Sequence, residues 1–158
     1  MRLGITGHRG LPSEVEAQVR ALLAKVVTYY DAAELVVVSC IADGPDTWFT
    51  LAVLEHGGQL EVVLPAEEYR ADLPDWHHDT YDELLRRAAS VHRTGLDASG
   101  SRAHMAGSEL LVDQVDRLIA VWDGQPARGY GGSADVVAYA REKGVPVTVT
   151  WPAGARRD

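Results

Sequence analysis

The sequence predicts an α/β fold, a Rossmann-like three-layer sandwich built on a mostly parallel central sheet. Compact β-branched runs recur along the chain with amphipathic segments of helical period between them, the rhythm that βαβ units produce. The strand segments are apolar almost throughout, Glu34 to Ser39 above all, as strands covered on both faces must be. A chain of 158 residues with 46% hydrophobic content also has enough apolar side chain for one full-sized core without a disulfide or metal staple. Residues 1–152 are therefore expected to form one domain, and 153–158 a frayed tail.

The first strand runs from Arg2 to Thr6 and ends in Gly7-His8-Arg9-Gly10. Ser13 followed by Glu16 has the spacing of a capping box, after which Val15, Val19, Leu22, Leu23 and Val26 line one helical face. The second strand, Glu34 to Ser39, enters Cys40-Ile41-Ala42-Asp43-Gly44-Pro45-Asp46, and a helix from Asp46 to His56 stops at Gly57-Gly58. Gln59 to Leu64 is the third strand, closed by Pro65. Glu67 to His78 is acidic, aromatic and interrupted by proline, and is expected to be a lid over the strand ends. Thr80 with Glu83 predicts another capped helix through Ala89, with Tyr81, Leu84, Leu85 and Ala88 on its apolar face. Ser90 to Thr94 is expected as a short fourth strand. A helix from Arg102 to Asp113, a strand from Arg117 to Trp122, a glycine-rich loop, a helix from Ser133 to Lys143 and a strand from Val145 to Thr150 complete the pattern.

Composition narrows the function classes. The single cysteine, Cys40, excludes an intrachain disulfide framework and points to a reducing, cytoplasmic setting. With 15 Lys plus Arg against 23 Asp plus Glu, the net charge is -8; a grip on nucleic-acid phosphates needs basic surface, so nucleic acid is not expected as a partner. No apolar run approaches the length of a bilayer span and no signal peptide follows Met1, so neither membrane association nor export is expected.

In an open parallel sheet the ligand crevice lies beyond the carboxyl ends of the strands, where the strand order reverses, so the loops after the strands are the places to search. The first, Gly4-Ile5-Thr6-Gly7-His8-Arg9-Gly10, combines close backbone approach at glycine with donors suited to an anion from Thr6, His8 and Arg9. Its spacing, Gly-x-x-Gly-x-x-Gly, is not the dinucleotide fingerprint. The second places Ser39 at a strand end, Gly44 at the turn, and Asp46 either as an N-cap or as a group in the site. The third, Trp122 to Ser133, contains four glycines. There Gly131-Gly132-Ser133 leads into a helix, so backbone N–H groups, a hydroxyl and the positive end of the helix dipole converge, with Arg128 nearby: a phosphate cradle. Asp123 either accepts hydrogen bonds from a ribose or caps its turn.

Other polar clusters point to less. In His77-His78-Asp79 the adjacent histidines point apart and no third ligand has metal-binding spacing, so no metal is expected. Neither a Gly-x-Ser-x-Gly elbow nor a Gly-x-x-x-x-Gly-Lys-Ser/Thr loop occurs. His92 and His104 have no assigned function.

Four segments together carry a family resemblance: Gly4-Ile5-Thr6-Gly7-His8-Arg9; Ser39-x-x-Ala42-x-Gly44-x-Asp46; Leu111-Val112-Asp113-x-x-Asp116-x-Leu118-Ile119-Ala120-Val121-Trp122-Asp123-Gly124; and Gly131-Gly132-Ser133-Ala134-Asp135-Val136-Val137-Ala138-Tyr139-Ala140. The chain resembles the SLOG superfamily of Rossmann-like proteins, which includes the Lonely Guy nucleotide phosphoribohydrolases, the DprA/Smf proteins and small stand-alone bacterial members. The resemblance spans Leu3 to Thr150. It implies a nucleotide or nucleotide sugar held by the first and glycine-rich loops, its base or second sugar directed towards Ser39 and the middle segment, no separate cofactor, and self-association into a homo-oligomer. The phosphoribohydrolases carry Pro-Gly-Gly-x-Gly-Thr-x-x-Glu. Here Val136 stands at the glutamate position, and Asp135, one residue earlier, lies on another helical face. Stand-alone relatives carry Arg-Asn where this chain has Gly107-Ser108. The expected function is therefore a sensor or binding module for a nucleotide-derived phosphate ligand. An N-glycosidase using Asp46, Asp123 or Asp135 is the alternative, and a scaffold with a degenerate pocket the third.

Overall fold

A computed structural model describes residues 1–157. Six strands form one sheet: β1 (Arg2–Gly7), β2 (Val36–Ser39), β3 (Gln59–Leu64), β4 (Ser90–Arg93), β5 (Arg117–Val121) and β6 (Val147–Val149). Their spatial order is β4-β3-β2-β1-β5-β6, and every pairing is parallel. The helices are α1 (Ser13–Val27), α2 (Pro45–His56), a single turn α3 (Tyr69–Asp72), α4 (His78–Arg87), α5 (Ser101–Val112) and α6 (Ser133–Glu142). This is the α/β Rossmann-like sandwich that the alternating pattern predicts.

Successive side chains of a strand point to opposite faces, so an uninterrupted apolar run fills two cores. Val37, Leu60, Val62, Ile119 and Val121 pack with Val19, Leu23, Phe49 and Val53 of α1 and α2. Val38, Val63 and Leu118 pack with Met105, Leu111 and Val112 of α5 and Val136 and Ala140 of α6. The two layers explain why the central strands β2 and β5 are apolar almost throughout.

The chain winds outward from β1 through β2 and β3 to β4, then crosses back through α5 to lay β5 on the other side of β1. The strand order therefore reverses between β1 and β5, and the loops leaving these two strands part to open a crevice.

Local details differ from the sequence expectation. Ser13 and Thr80 make no side-chain cap; Pro12 and His77 stand at the N-cap positions of α1 and α4. In each case the chain enters the helix before the hydroxyl residue, which leaves that residue inside the first turn. The segment from Glu67 to His78 is a wall rather than a lid. Tyr69 and Leu73 are buried in the first core, and His77 Nε2 bonds to Ile41 O at 2.9 Å. His78 Nε2 bonds to Arg70 O and Leu73 O at 2.8 and 3.1 Å, so both neighbouring imidazoles serve the backbone. Within the described part of the tail, Trp151 Nε1 donates to Ala155 O at 3.1 Å, and Ala155 packs on the core. No helix among the described residues is long and apolar enough to cross a membrane.

Candidate functional site

At the β1/β5 divergence lies an outer cleft of about 350 Å³, walled by Thr6 to Arg9, His104, Ala127 to Ser133 and Arg157. A smaller chamber of about 120 Å³ shares Thr6, Gly7, Arg9, His104 and Gly131 with it, and reaches Cys40, Asp46 and Tyr69. The first loop is shaped by Gly7. A Cβ there would lie 2.7 Å from Pro45 Cβ and 2.9 Å from Val121 Cβ, closer than carbon atoms pack, so glycine lets β1, α2 and β5 meet at one point.

His8 turns into the fold and is 5% exposed. Its Nε2 lies 3.2 Å from both the backbone N and Oδ1 of Asp123, and its ring meets Trp151 edge to face at 5.7 Å. Burial first, then Arg157, pushes the imidazole below its ordinary pKa. The shift favours the neutral imidazole, which joins the two loops. Arg9 spans both cavities, with Nε and Nη2 donating to Asp43 Oδ1 at 3.0 and 2.6 Å.

The glycine-rich loop is pinned at both ends. Trp122 Nε1 donates to Gln125 O at 2.8 Å and the Gln125 N–H to Asp123 Oδ1 at 3.0 Å. Burial opposes ionisation of Asp123, but the Gln125 N–H, His8 and Arg157 hold its carboxyl below the usual range. Gly131 has φ of +87° and its absent Cβ would sit 3.1 Å from Ser101 O, so glycine is required there both by conformation and by space. Its N–H donates to Asp135 Oδ2 at 2.8 Å, and the Gly132 N–H donates to Gly129 O at 3.2 Å. These two donors of the expected cradle are therefore already used. Asp135 N and Val136 N bond to Gly132 O, whereas the N–H groups of Ser133 and Ala134 take no partner among the described residues. Gly132, not Ser133, occupies the N-cap position of α6.

The second loop contributes differently from expectation. Ser39 is fully buried and its Oγ accepts the Ile41 N–H at 2.9 Å; it lines neither cavity. That bond helps hold Ile41 at φ of +47°, an uncommon conformation for a β-branched residue. Gly44 begins α2 and faces a separate groove beside Trp48 and Trp76. Asp46 is the second residue of α2 and lines the small chamber. Its Oδ2 accepts the Ala42 N–H at 3.3 Å, and no described residue bonds Oδ1. Burial drives its pKa up to about 7 against the opposing pull of the Ala42 N–H and Arg9.

The structure thus gathers Thr6, Gly7, His8, Arg9, Arg128, Gly131, Gly132 and Ser133 around the outer cleft and Asp46 around the chamber. Asp123 and Asp135 brace the loops, and Ser39 and Gly44 lie away from both cavities. Residues that the sequence did not single out complete the walls. Tyr69 lines the chamber and His104 both cavities, while Asp43, outside both, pairs with Arg9. Arg157 comes within 4.0 Å of Asp123 Oδ2. The contacts of Asp43 and Arg157 cross 34 residues in each case, a distance over which no periodicity signals a partner.

No protein-family model matches the sequence, and no curated protein does. Solved structures do match. DNA processing protein A (DprA) from Streptococcus pneumoniae superposes with a TM-score of 0.64 at 20% identity, over 92% of this chain and 48% of that one. Its counterpart from Helicobacter pylori, described for its single-stranded DNA binding mode, gives 0.66 at 17% identity, over 94% and 64%. A molybdenum cofactor binding protein from Rippkaea orientalis gives 0.59 at 16% identity, over 92% and 73%. The likeness is one of fold, the Rossmann-like α/β architecture described above. The chain spans about half to two thirds of the DprA chains, so the fold is what they share with it. The expectation that excluded nucleic acid is corrected here: a structural neighbour is described for its single-stranded DNA binding mode. Net charge is a sum over the whole surface, whereas binding depends on local charge. This acidic chain still places Arg9, Arg128 and Arg157 around one cleft.

Proposed function

We propose that this chain binds a nucleotide-derived phosphate ligand, a nucleoside phosphate or an ADP-ribose-like molecule, as a sensor or binding module. The phosphate sits at the N-terminus of α6, between Thr6-Gly7-His8-Arg9 and Gly131-Gly132-Ser133. The observation that carries this reading is the pair of unpartnered N–H groups on Ser133 and Ala134, at the positive end of a ten-residue helix whose first residue, Ser133, lines a cleft bordered by arginines. Backbone donors and a helix dipole aimed at one point favour an anion, and guanidinium groups strengthen its hold through charge-assisted bonds.

One observation favours a second, hydrolytic reading. Asp46 titrates near neutrality in the adjoining chamber, where a carboxyl group can serve as general acid or base. The test is a thermal-shift panel of AMP, ADP, ADP-ribose, NAD, inorganic phosphate and a short single-stranded oligonucleotide, with each stabilising compound recovered and checked for released base. A ligand that binds only the native state raises the melting temperature. Stabilisation by a nucleotide recovered intact supports the binding module. Released base turns the reading to an N-glycosidase, stabilisation by the oligonucleotide alone to a DNA-binding role, and no shift at all refutes the proposal.

A further inference from the structure

We infer that the groove between α1, α2 and the turn before α4 is a docking surface for a basic segment of a partner protein, an arginine of which stacks on Trp76. The groove has a volume of about 410 Å³ and shares no residue with the cleft or the chamber. The Arg9–Asp43 pair parts them: Arg9 lines the cleft and Asp43 the groove. The inference is therefore independent of the phosphate reading.

Two tryptophans line the groove. Trp48 of α2 already carries a cation, since the Arg20 guanidinium of α1 lies 4.9 Å from its ring centre while Arg20 Nε meets Glu16 Oε2 at 3.1 Å. One half of the groove thus holds a guanidinium on an indole with a carboxylate beside it. The other half offers the same parts without the cation. Trp76 is 74% exposed, yet it is held firmly. It stands in the short helical turn Asp75–His77 that follows Pro74, and it packs edge to face at 5.8 Å against His77, which is buried. A large apolar ring on a fixed mount in water is the form that binding hot spots take.

Charge selects the occupant. Glu16 and Asp43 are matched by Arg20 and Arg9, and Arg70 is engaged with Asp82. Asp75 and Asp79, both exposed and close to Trp76 in the chain, make no ion pair with an arginine or lysine among the described residues; Asp75 approaches His78 Nδ1 at 4.0 Å. A guanidinium satisfies the indole face and these open carboxylates together, whereas an anionic segment would be repelled. Leu11 and Leu51, the latter 40% exposed, extend the apolar wall for the side chains that flank that arginine.

The test titrates the full chain with the peptide acetyl-Gly-Arg-Leu-Arg-Gly-amide, and with its counterpart carrying neutral citrulline for arginine, while NMR follows the indole N–H signals of the four tryptophans. Saturable shifts are expected at Trp76 and Trp48, with Trp122 and Trp151 unmoved. The citrulline peptide is expected to bind about tenfold more weakly, the combined worth of a cation on an exposed indole and a surface ion pair. Trp76→Ala, with its fold checked by thermal melting, is expected to weaken the arginine peptide about tenfold as read at Trp48. Asp75→Asn combined with Asp79→Asn is expected to weaken it about threefold. Equal binding of the two peptides, or undiminished binding by Trp76→Ala, would reveal only diffuse attraction to an acidic protein and overturn the inference. Unmoved signals at Trp76 and Trp48 would overturn it as well. So would a Trp76 shift that follows protein concentration without peptide, because it would place a second copy of the chain in the groove.

Discussion

Replacing Asp46 by Asn is expected to stabilise the protein at alkaline pH and to leave it unchanged in acid. The carboxyl has a pKa of about 7 in the fold against 3.8 in a model peptide, because burial disfavours its charged form more than Arg9 and the Ala42 N–H favour it. Below about pH 4 the group is protonated in both folded and unfolded chains and contributes nothing. Between about 4 and 7 the folded protein holds a proton that the unfolded chain has released, so stability falls as the pH rises, and above 7 the full penalty remains. At 1.36 kcal/mol per pH unit, the penalty is roughly 4 kcal/mol at its upper limit, and half of that if the chamber admits water. Asn at this position is neutral throughout and retains an oxygen for the Ala42 N–H. Denaturant titrations of both proteins at about pH 5 and about pH 8 read the difference directly. The variant should gain roughly 1.3 to 2.6 kcal/mol over the wild type on moving from the lower to the higher pH. Parallel pH profiles for the two proteins would show that Asp46 is ionised at its ordinary pKa, and the account of the chamber would fall with it.

Gly132→Asp places a carboxylate beside the open N–H groups of α6. It should abolish binding of phosphate ligands by calorimetry, with a modest loss of melting temperature because its Cβ would touch Ala127 Cβ at 3.0 Å. Arg157→Ala should weaken phosphate-ligand affinity by about 1.5 to 3 kcal/mol if its guanidinium reaches the anion, and unchanged affinity would remove the tail from the site. Arg9→Ala should cost a similar amount of binding and also lower stability, since it leaves Asp43, only 7% exposed, without its partner; chemical denaturation separates the two effects. At the start of β1, Arg2 pairs in two bonds with Glu61, and His92 adds a third. These bonds, the Arg2 pair foremost, hold the Glu61 carboxyl down at about 2. Glu61→Gln should therefore cost about 1.5 to 3 kcal/mol at pH 7. Because the folded pKa lies below the unfolded one, the difference should shrink as the pH falls from about 4.5 towards 2, which urea titrations at both ends will show.

The regular part of this fold was legible because it depends on local pattern. Runs such as Leu60 to Leu64 reach both cores by simple alternation, and the apolar face of α1 follows from its helical spacing. The outer cleft was legible for the same reason: Gly7 and Gly131-Gly132-Ser133 are constraints of backbone and close approach, and glycine announces them in the sequence. What stayed hidden depends on distant partners. Nothing around Ser39 shows that its hydroxyl would be spent on Ile41, nor around Asp135 that its carboxylate would turn back onto the Gly131 N–H and occupy part of the cradle. Asp43 and Arg157 acquire their roles only when the sheet brings their loops beside Arg9 and Asp123. The middle segment misled because its acidic surface concealed Tyr69, Leu73 and His77, the residues that anchor it as a wall. The overall negative charge misled in the same way, since a sum over residues carries no information about where arginines gather.

The central claim is that phosphate lies on the free amides at the start of α6, and amide-resolved NMR of the full chain during titration with AMP tests it most directly. The account predicts saturable shifts at the backbone N–H of Ser133 and Ala134, accompanied by Thr6 and Gly7, and reproduced at Ser133 and Ala134 by inorganic phosphate. Saturable binding that leaves Ser133 and Ala134 unmoved while residues elsewhere respond would contradict it.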